Sequence, residues 1–206
     1  MIENIWPLPI LETERTVLLP WKLEYATEML TFTADEEVWI RLSGATKLID
    51  TVKKAERKIK KYIDDKANEW AIAIKQNGEN KIVGHIGFNR EQLKLSNYKI
   101  FGFDDSGGDT DKSFIGPFGY SLAKNYWGQG IATETALRVM EYAFTDLKTD
   151  VMTIYHKNHN TRSKRVIEKC GFKFRDIFPK NKASDPESRA YYFVTLDDYA
   201  KFRKMN

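Results

Sequence analysis

Residues 118–172 constrain the fold of this chain more than any other stretch, and they read FGYSLAKNYWGQGIATETALRVMEYAFTDLKTDVMTIYHKNHNTRSKRVIEKCGF. A short β-rich run leads into a glycine-bearing turn. Ile131, Ala132, Ala136, Leu137, Met140, Ala143, Phe144 and Leu147 then recur at helical spacing, so a long amphipathic helix begins at Gly128 and Gly130. The run VMTIYH reads as a second strand. Asn160 suits the N-cap of a shorter helix and Gly171 its C′ position. The unpaired N–H groups of the first helical turn and the positive end of the helix dipole make the turn at Gly128 and Gly130 an anion site. Glycines there let the backbone approach phosphate oxygens with no Cβ in the way. A Gly-x-Gly can equally be a tight turn alone, and Asn160 a cap alone.

A dinucleotide-binding fold does not fit. Gly128-x-Gly130-x-x-Thr133 lacks the third glycine of that fingerprint, and the following strand ends in His156 where an acidic residue would meet the ribose. The motif also follows a meander rather than opening a βαβ unit, and there is no Walker A loop.

The rest of the chain reads as one soluble domain over residues 1–206, with its core at about 11–202. TVLLPW is a strand, and Leu23, Ala26, Met29 and Leu30 mark a helix. Val52, Ala55, Ile59, Tyr62 and Ile63 form the stripe of another helix, with Asp50 as N-cap and lysines on the far face. EWAIAIK and KIVGHIGFNR flank an Asn-Gly turn and form an antiparallel hairpin. NYKIFGF adds strand-like residues before an acidic glycine-rich loop, and KFRDIF and RAYYFVTL close the chain. The fold expected is α+β in α/β/α layers, with a mixed, mostly antiparallel sheet of six to seven strands and about four helices.

The balance of 33 basic to 29 acidic residues gives a net charge of +4, which suits a polyanionic small molecule and argues against nucleic acid as partner. The lysine face of residues 51–66 is read as solvated, with nucleic-acid binding as its alternative. A lone cysteine, Cys170, fits a reducing cytosol, and neither a signal peptide nor a membrane span is visible, so a cytoplasmic protein is expected. His156 and His159 have no Cys or acidic partners at ligand spacing, and no metal is expected. No base is indicated beside Cys170, which reads as a core thiol.

Two separated motifs carry a resemblance. YWGQGIATE, from Tyr126 to Glu134, and the later pattern of Asn160, Ser163, Glu168, Lys169, Gly171 and Phe172 together resemble the cofactor core of the GNAT N-acetyltransferase superfamily, in its RimJ/RimL-like branch. The resemblance implies a V-shaped splay of the sheet at a CoA site, with acetyl-CoA as co-substrate. The backbone of Gly128, Gln129, Gly130, Ile131, Ala132 and Thr133 would hold the diphosphate. The pantetheine arm would pair with Tyr120, Ser121, Leu122 and Ala123 as an added strand. Asn160 and Ser163 would flank the arm, with Arg162, Lys164 and Arg165 as candidate phosphate partners or a solvated face. Trp127 stands where the superfamily usually has Gln or Arg. Many members carry a tyrosine seven residues after the asparagine as general acid; here Ile167 stands there.

Such an enzyme acetylates a primary amine, either a protein N-terminal α-amine or a small molecule. Direct attack on the thioester needs a deprotonated amine and a stabilised oxyanion. Leu122 N–H is the candidate oxyanion donor. Base candidates are Glu36, Asp104 and His85, with Asp35, Glu37 and Asp105 beside them. Loss of the tyrosine leaves the alternative of an acyl-CoA-binding module without catalysis. A monomer or homodimer is expected.

Overall fold

The computed structural model describes residues 7–41, 48–76, 78–89, 114–178 and 188–205. The chain falls into two compact units, one of Met1–Gly87 with Gly119–Val139 and the other of Phe88–Phe118 with Met140–Asn206.

In the first unit the strand order is β1 (Leu11–Glu12), β2 (Thr16–Pro20), β3 (Asn68–Gln76), β4 (Glu79–Phe88), then the end of β5 (Phe114–Leu122). β1 pairs antiparallel with β2 and β2 with β3, where Leu18 faces Ile72. Gly78, at φ +81°, forms the hairpin turn between β3 and β4, a left-handed conformation that glycine adopts without Cβ strain. Helices α1 (Ala26–Thr33), α2 (Glu36–Trp39) and α3 (Val52–Asp64) belong to this unit. Met29 and Phe32 of α1 and Ala55 and Ile59 of α3 join Trp21, Ala71, Ala73, Ile82 and Ala123 in one core cluster. Full burial of each large side chain there contributes about 1.5–3 kcal/mol. Trp70, fully buried, keeps its indole N–H satisfied by donating to Pro9 O at 2.8 Å.

Three lysines of the α3 face are paired with carboxylates of the same segment. Lys54 and Lys60 pair with Asp50 at 2.6 Å and Asp64 at 3.0 Å, and Lys61 pairs with Asp65. The N-cap is Thr51, whose hydroxyl accepts from Lys54 N at 3.3 Å, rather than Asp50. Asp50 is taken instead by the Lys54 ammonium, a charge-assisted contact that a neutral hydroxyl cannot make.

In the second unit β5 pairs parallel with β6 (Val151–Lys157), β6 antiparallel with β8 (Arg189–Thr195), and β8 antiparallel with β7 (Lys173–Phe178). Helix α4 (Ile131–Thr145) enters this unit at Met140, and α5 (Thr161–Lys169) and α6 (Leu196–Met205) complete it. Phe144 of α4 stacks on Tyr199 of α6 at 4.7 Å between centroids. The β5–β6 register shifts between Ile115 and Phe118, and a Cβ on Gly116 would stand 1.9 Å from Thr153 Oγ1. Gly116→Ala is expected to destabilise the protein by about 1–3 kcal/mol, because buried Thr153 has nowhere to retreat. Urea unfolding would show this as a lower midpoint at an unchanged m-value.

The expected α+β class with a mixed, mostly antiparallel sheet is borne out, with eight strands and six helices among the described residues. The additional elements are short or weakly patterned. β1 has two residues, α2 has four, and α6 buries Tyr199 while leaving Leu196 and Met205 exposed. Among the described residues no helix is long and apolar enough to cross a membrane.

Candidate active site

The turn expected to bind an anion is built as its glycines require. After Leu122 the chain makes a 3-10 turn over Lys124–Tyr126, passes Gly128 at φ +76° and Gly130 at φ +81°, and enters α4. Gly130 O accepts the first helical bond from Glu134 N at 3.0 Å. Among the described residues, the N–H groups of Gly128, Gln129, Gly130, Ile131 and Ala132 meet no backbone or side-chain acceptor. They are the orphan donors of a helix start, at the positive end of its dipole. A Cβ on Gly128 would meet nothing within 4 Å.

Side chains hold this turn from behind. Trp127 folds back so that its indole N–H donates to Leu122 O at 2.8 Å, and the Arg41 guanidinium lies 5.3 Å from its ring. Gln129 Nε2 donates to Asn125 O at 2.7 Å. Arg15 Nη1 donates to Gln129 O at 2.8 Å, while its Nε and Nη2 reach Glu134 Oε2 at 2.6 and 2.5 Å. Glu134 Oε1 also accepts from Thr13 Oγ1 at 2.5 Å and Arg15 N at 2.9 Å. Burial opposes the Glu134 charge, but the Thr13 hydroxyl, the Arg15 N–H and the guanidinium outweigh it and hold its carboxyl below the ordinary carboxylate value. Its stabilising ionised form is therefore present at neutral pH and lost only as pH falls through that lowered value. Glu134 belongs to the motif YWGQGIATE, but neither its role nor that of Arg15 was visible in the sequence.

The strand leading into the turn is buried. Ser121, Leu122 and Ala123 are each less than a tenth exposed, and Ser121 Oγ has no hydrogen-bond partner among the described residues. Ala123 N donates to Val83 O at 2.8 Å. A Cβ on Gly84 would collide with Ser121 O at 2.2 Å and with the Leu122 side chain at 2.7 Å, so β4 and β5 pack backbone to backbone there.

His85 follows Gly84 directly. Its Nδ1 lies 3.2 Å from Glu69 Oε2, and its ring stacks on Phe32 at 6.0 Å. The Glu69 carboxylate occupies the space that a Cβ on Gly87 would take, at 2.6 Å. Both side chains keep 21% exposure, enough for solvent or a substrate to reach them. Glu69 had no place among the sequence candidates, although it sits on the opposite arm of the same hairpin. Of the other carboxylates, Asp35 is the N-cap of α2, accepting from Glu37 N at 2.8 Å. Glu37 pairs with Arg41 at 3.3 Å and with Lys124, and Glu36 is exposed on the first turn of α2. Asp104 and Asp105 lie outside the described residues.

In the second unit Asn160 caps α5 as expected, its Oδ1 accepting from Ser163 N at 3.1 Å. Arg162, Lys164 and Arg165 are exposed on that helix, and Lys164 lies 3.8 Å from Glu168. Ile167 is fully buried, a core residue at the position where many GNAT members carry a tyrosine. His156 is also buried; burial lowers its pKa, its Nδ1 lies 2.7 Å from Lys157 O, and its Nε2 lies 3.3 Å from the Tyr192 hydroxyl. An Nδ1–H donated to that carbonyl leaves Nε2 to accept from the hydroxyl, so both ring nitrogens are used in the core.

Burial pushes the Cys170 thiol up to about 12. At pH 8 about one thiol in ten thousand is ionised, and the thiolate is the reactive form. Native protein is expected to give no measurable reaction with a disulfide thiol reagent at that pH over minutes, and one thiol per chain after denaturation. Fast native labelling would contradict the burial of Cys170.

A family model, the acetyltransferase (GNAT) domain, matches residues 15–173. The chain belongs to the GNAT family. This GNAT protein is 26% identical over 166 residues to the uncharacterized N-acetyltransferase p20 of Bacillus licheniformis, covering 79% of this chain and 81% of that protein. It also resembles the crystal structure of an acetyltransferase (GNAT family) from Bacillus anthracis, with a TM-score of 0.72, 20% identity, and coverage of 92% of this chain and 99% of that one. A further similar structure is RimL, an alpha-N-protein acetyltransferase solved in complex with coenzyme A; the TM-score is 0.68 at 14% identity, covering 92% and 99% of the two chains. The GNAT match makes the protein an acyltransferase, and the solved structures agree on its fold.

Proposed function

We propose that this GNAT-family protein is an acetyl-CoA-dependent N-acetyltransferase of the RimJ/RimL-like branch, a single cytoplasmic domain over residues 1–206 that acetylates a primary amine. The acceptor is a protein N-terminal α-amine or a small-molecule amine. One observation carries the donor assignment: the run of unpaired N–H groups from Gly128 through Ala132, placed on two left-handed glycines at the start of α4. A diphosphate fits it in charge and hydrogen bonding. Two further features fit the same molecule. Among the described residues, Gly128 leaves open space on its Cβ side and buried Ser121 Oγ lacks a partner on the strand where an amide-bearing arm would pair. The neighbour RimL was solved with coenzyme A.

Bound acetyl-CoA supplies an activated thioester carbonyl. The chain's own residues do the rest in this reading. The backbone of Tyr120, Ser121 and Leu122 orients the arm, whereas Ala123, expected to join them, has its N–H on Val83 O and its carbonyl on Tyr126 N–H. Leu122 N–H donates to the oxygen that gains charge. Of the base candidates His85 has the best support, because Gly84 beside it touches Ser121 O and Leu122. Glu69 orients the His85 imidazole at 3.2 Å and stabilises the cation formed when it takes the amine's proton. The motif alone proposes Asn160 and Ser163 as further contacts to the arm. With Ile167 in the core, the leaving thiolate takes its proton from water.

Incubating the protein and acetyl-CoA with a panel of peptide N-termini, polyamines, amino acids and aminoglycosides, with free-thiol release as readout, tests the activity. Turnover with one class identifies the acceptor. Tight CoA binding without thiol release from any amine would favour the non-catalytic acyl-CoA-binding reading, which the burial of Ile167 keeps in view.

A further inference from the structure

Among the described residues, the peptide plane joining Gln129 to Gly130 is held from one side only. Its carbonyl receives Arg15 Nη1 at 2.8 Å, and because a trans peptide is planar, fixing that oxygen aims the Gly130 N–H the opposite way. The next plane is fixed in turn, since Gly130 O takes the helical bond from Glu134 N at 3.0 Å and so aims the Ile131 N–H. The first plane has no helical bond of its own. It borders Gly130 at φ +81°, a residue that offers little resistance to a flip.

We infer that Arg15, locked by Glu134, is a positioning residue that holds the Gln129–Gly130 peptide with its N–H toward the donor's diphosphate. This rests on the CoA reading above and adds a residue remote in sequence from the binding motif.

The geometry favours positioning over direct phosphate contact. Three of the five guanidinium donors are engaged, Nε and Nη2 on Glu134 and Nη1 on Gln129 O. The charge is compensated by a carboxylate that is itself turned into place by Thr13 Oγ1 and Arg15 N. Arg15 Nη2 also lies 3.3 Å from where a Cβ on Gly130 would stand, so the guanidinium braces the turn at its left-handed glycine. A planar fork can bridge a carboxylate and a carbonyl at fixed angles, whereas an ammonium cannot.

The test is calorimetric CoA binding to the full chain carrying Arg15→Met, Arg15→Lys or Glu134→Gln, with acceptor KM and Tm measured alongside. The bridging role predicts Kd for CoA raised ~10–100-fold in all three, the scale of one lost charge-assisted hydrogen bond. The lysine variant is expected to be as weak as the methionine one, with acceptor KM unchanged. Glu134→Gln keeps the shape of the side chain, so the test stands even if Arg15→Met folds poorly. Near-normal affinity in Arg15→Lys, or in all three variants, would overturn the inference. A purely structural role would lower Tm and leave the Kd of the folded protein unchanged, and would overturn it too. Wild-type protein that binds no CoA would instead overturn the donor assignment, and this inference with it.

Discussion

Replacing Gly130 with valine is expected to abolish measurable CoA binding, a loss of more than ~100-fold. Three effects act together. At φ +81° a β-branched residue is strained by about 1–3 kcal/mol, and the turn relieves that strain by leaving the left-handed region. Leaving it rotates the peptide plane that carries the Gly130 N–H. The new Cβ would also start 3.3 Å from Arg15 Nη2, displacing the guanidinium that holds Gln129 O. Gly128→Ala provides the contrast. Its φ is +76°, but nothing lies within 4 Å of the added Cβ, so strain alone acts and a loss of about tenfold is expected. Isothermal titration of CoA into the two variants measures the difference. Equal affinities in wild type and Gly130→Val would mean that the phosphates bind elsewhere.

The second large effect is expected at His85. Its replacement by alanine should lower kcat by ~10²–10⁴-fold, the usual range for a lost general base, while Kd for CoA stays within about twofold. That split follows from position: His85 is in the hairpin strand β4, whereas the turn proposed for the diphosphate precedes α4. Glu69→Gln should act less strongly, because an amide still fills the space over Gly87 and still accepts from an imidazole N–H but no longer offsets its positive charge. An unchanged kcat in His85→Ala would move the base to another of the candidates.

These two sites were not equally legible in the sequence. The turn was legible because it is local: two glycines adjoin a long apolar helix face, and the φ values at Gly128 and Gly130 are those for which glycine is needed. The later motif was local as well, and Asn160 caps α5 as read. What escaped was long-range. Arg15 and Glu134 are 119 residues apart, and no periodicity links them. Glu69 and His85 are 16 residues apart on two arms of one hairpin, so closing that hairpin in register would have brought them together. Helix α6 lacks a coherent apolar stripe, burying Tyr199 while Leu196 and Met205 lie exposed, yet a cap is present in the sequence: Thr195 Oγ1 accepts from Asp198 N at 3.1 Å, within a Thr-x-x-Asp pattern. At the start of α3 Asp50 and Thr51 both have capping side chains; Thr51 adjoins the first helical residue and caps, while Asp50 stands four residues before Lys54 and pairs with it.

The measurement that bears most directly on the central claim is a titration of the amide ¹H–¹⁵N spectrum with CoA. The account predicts that the largest shifts fall on Gly128, Gln129, Gly130, Ile131, Ala132 and Thr133. Shifts confined to other parts of the chain, with these six amides unmoved at saturation, would contradict it.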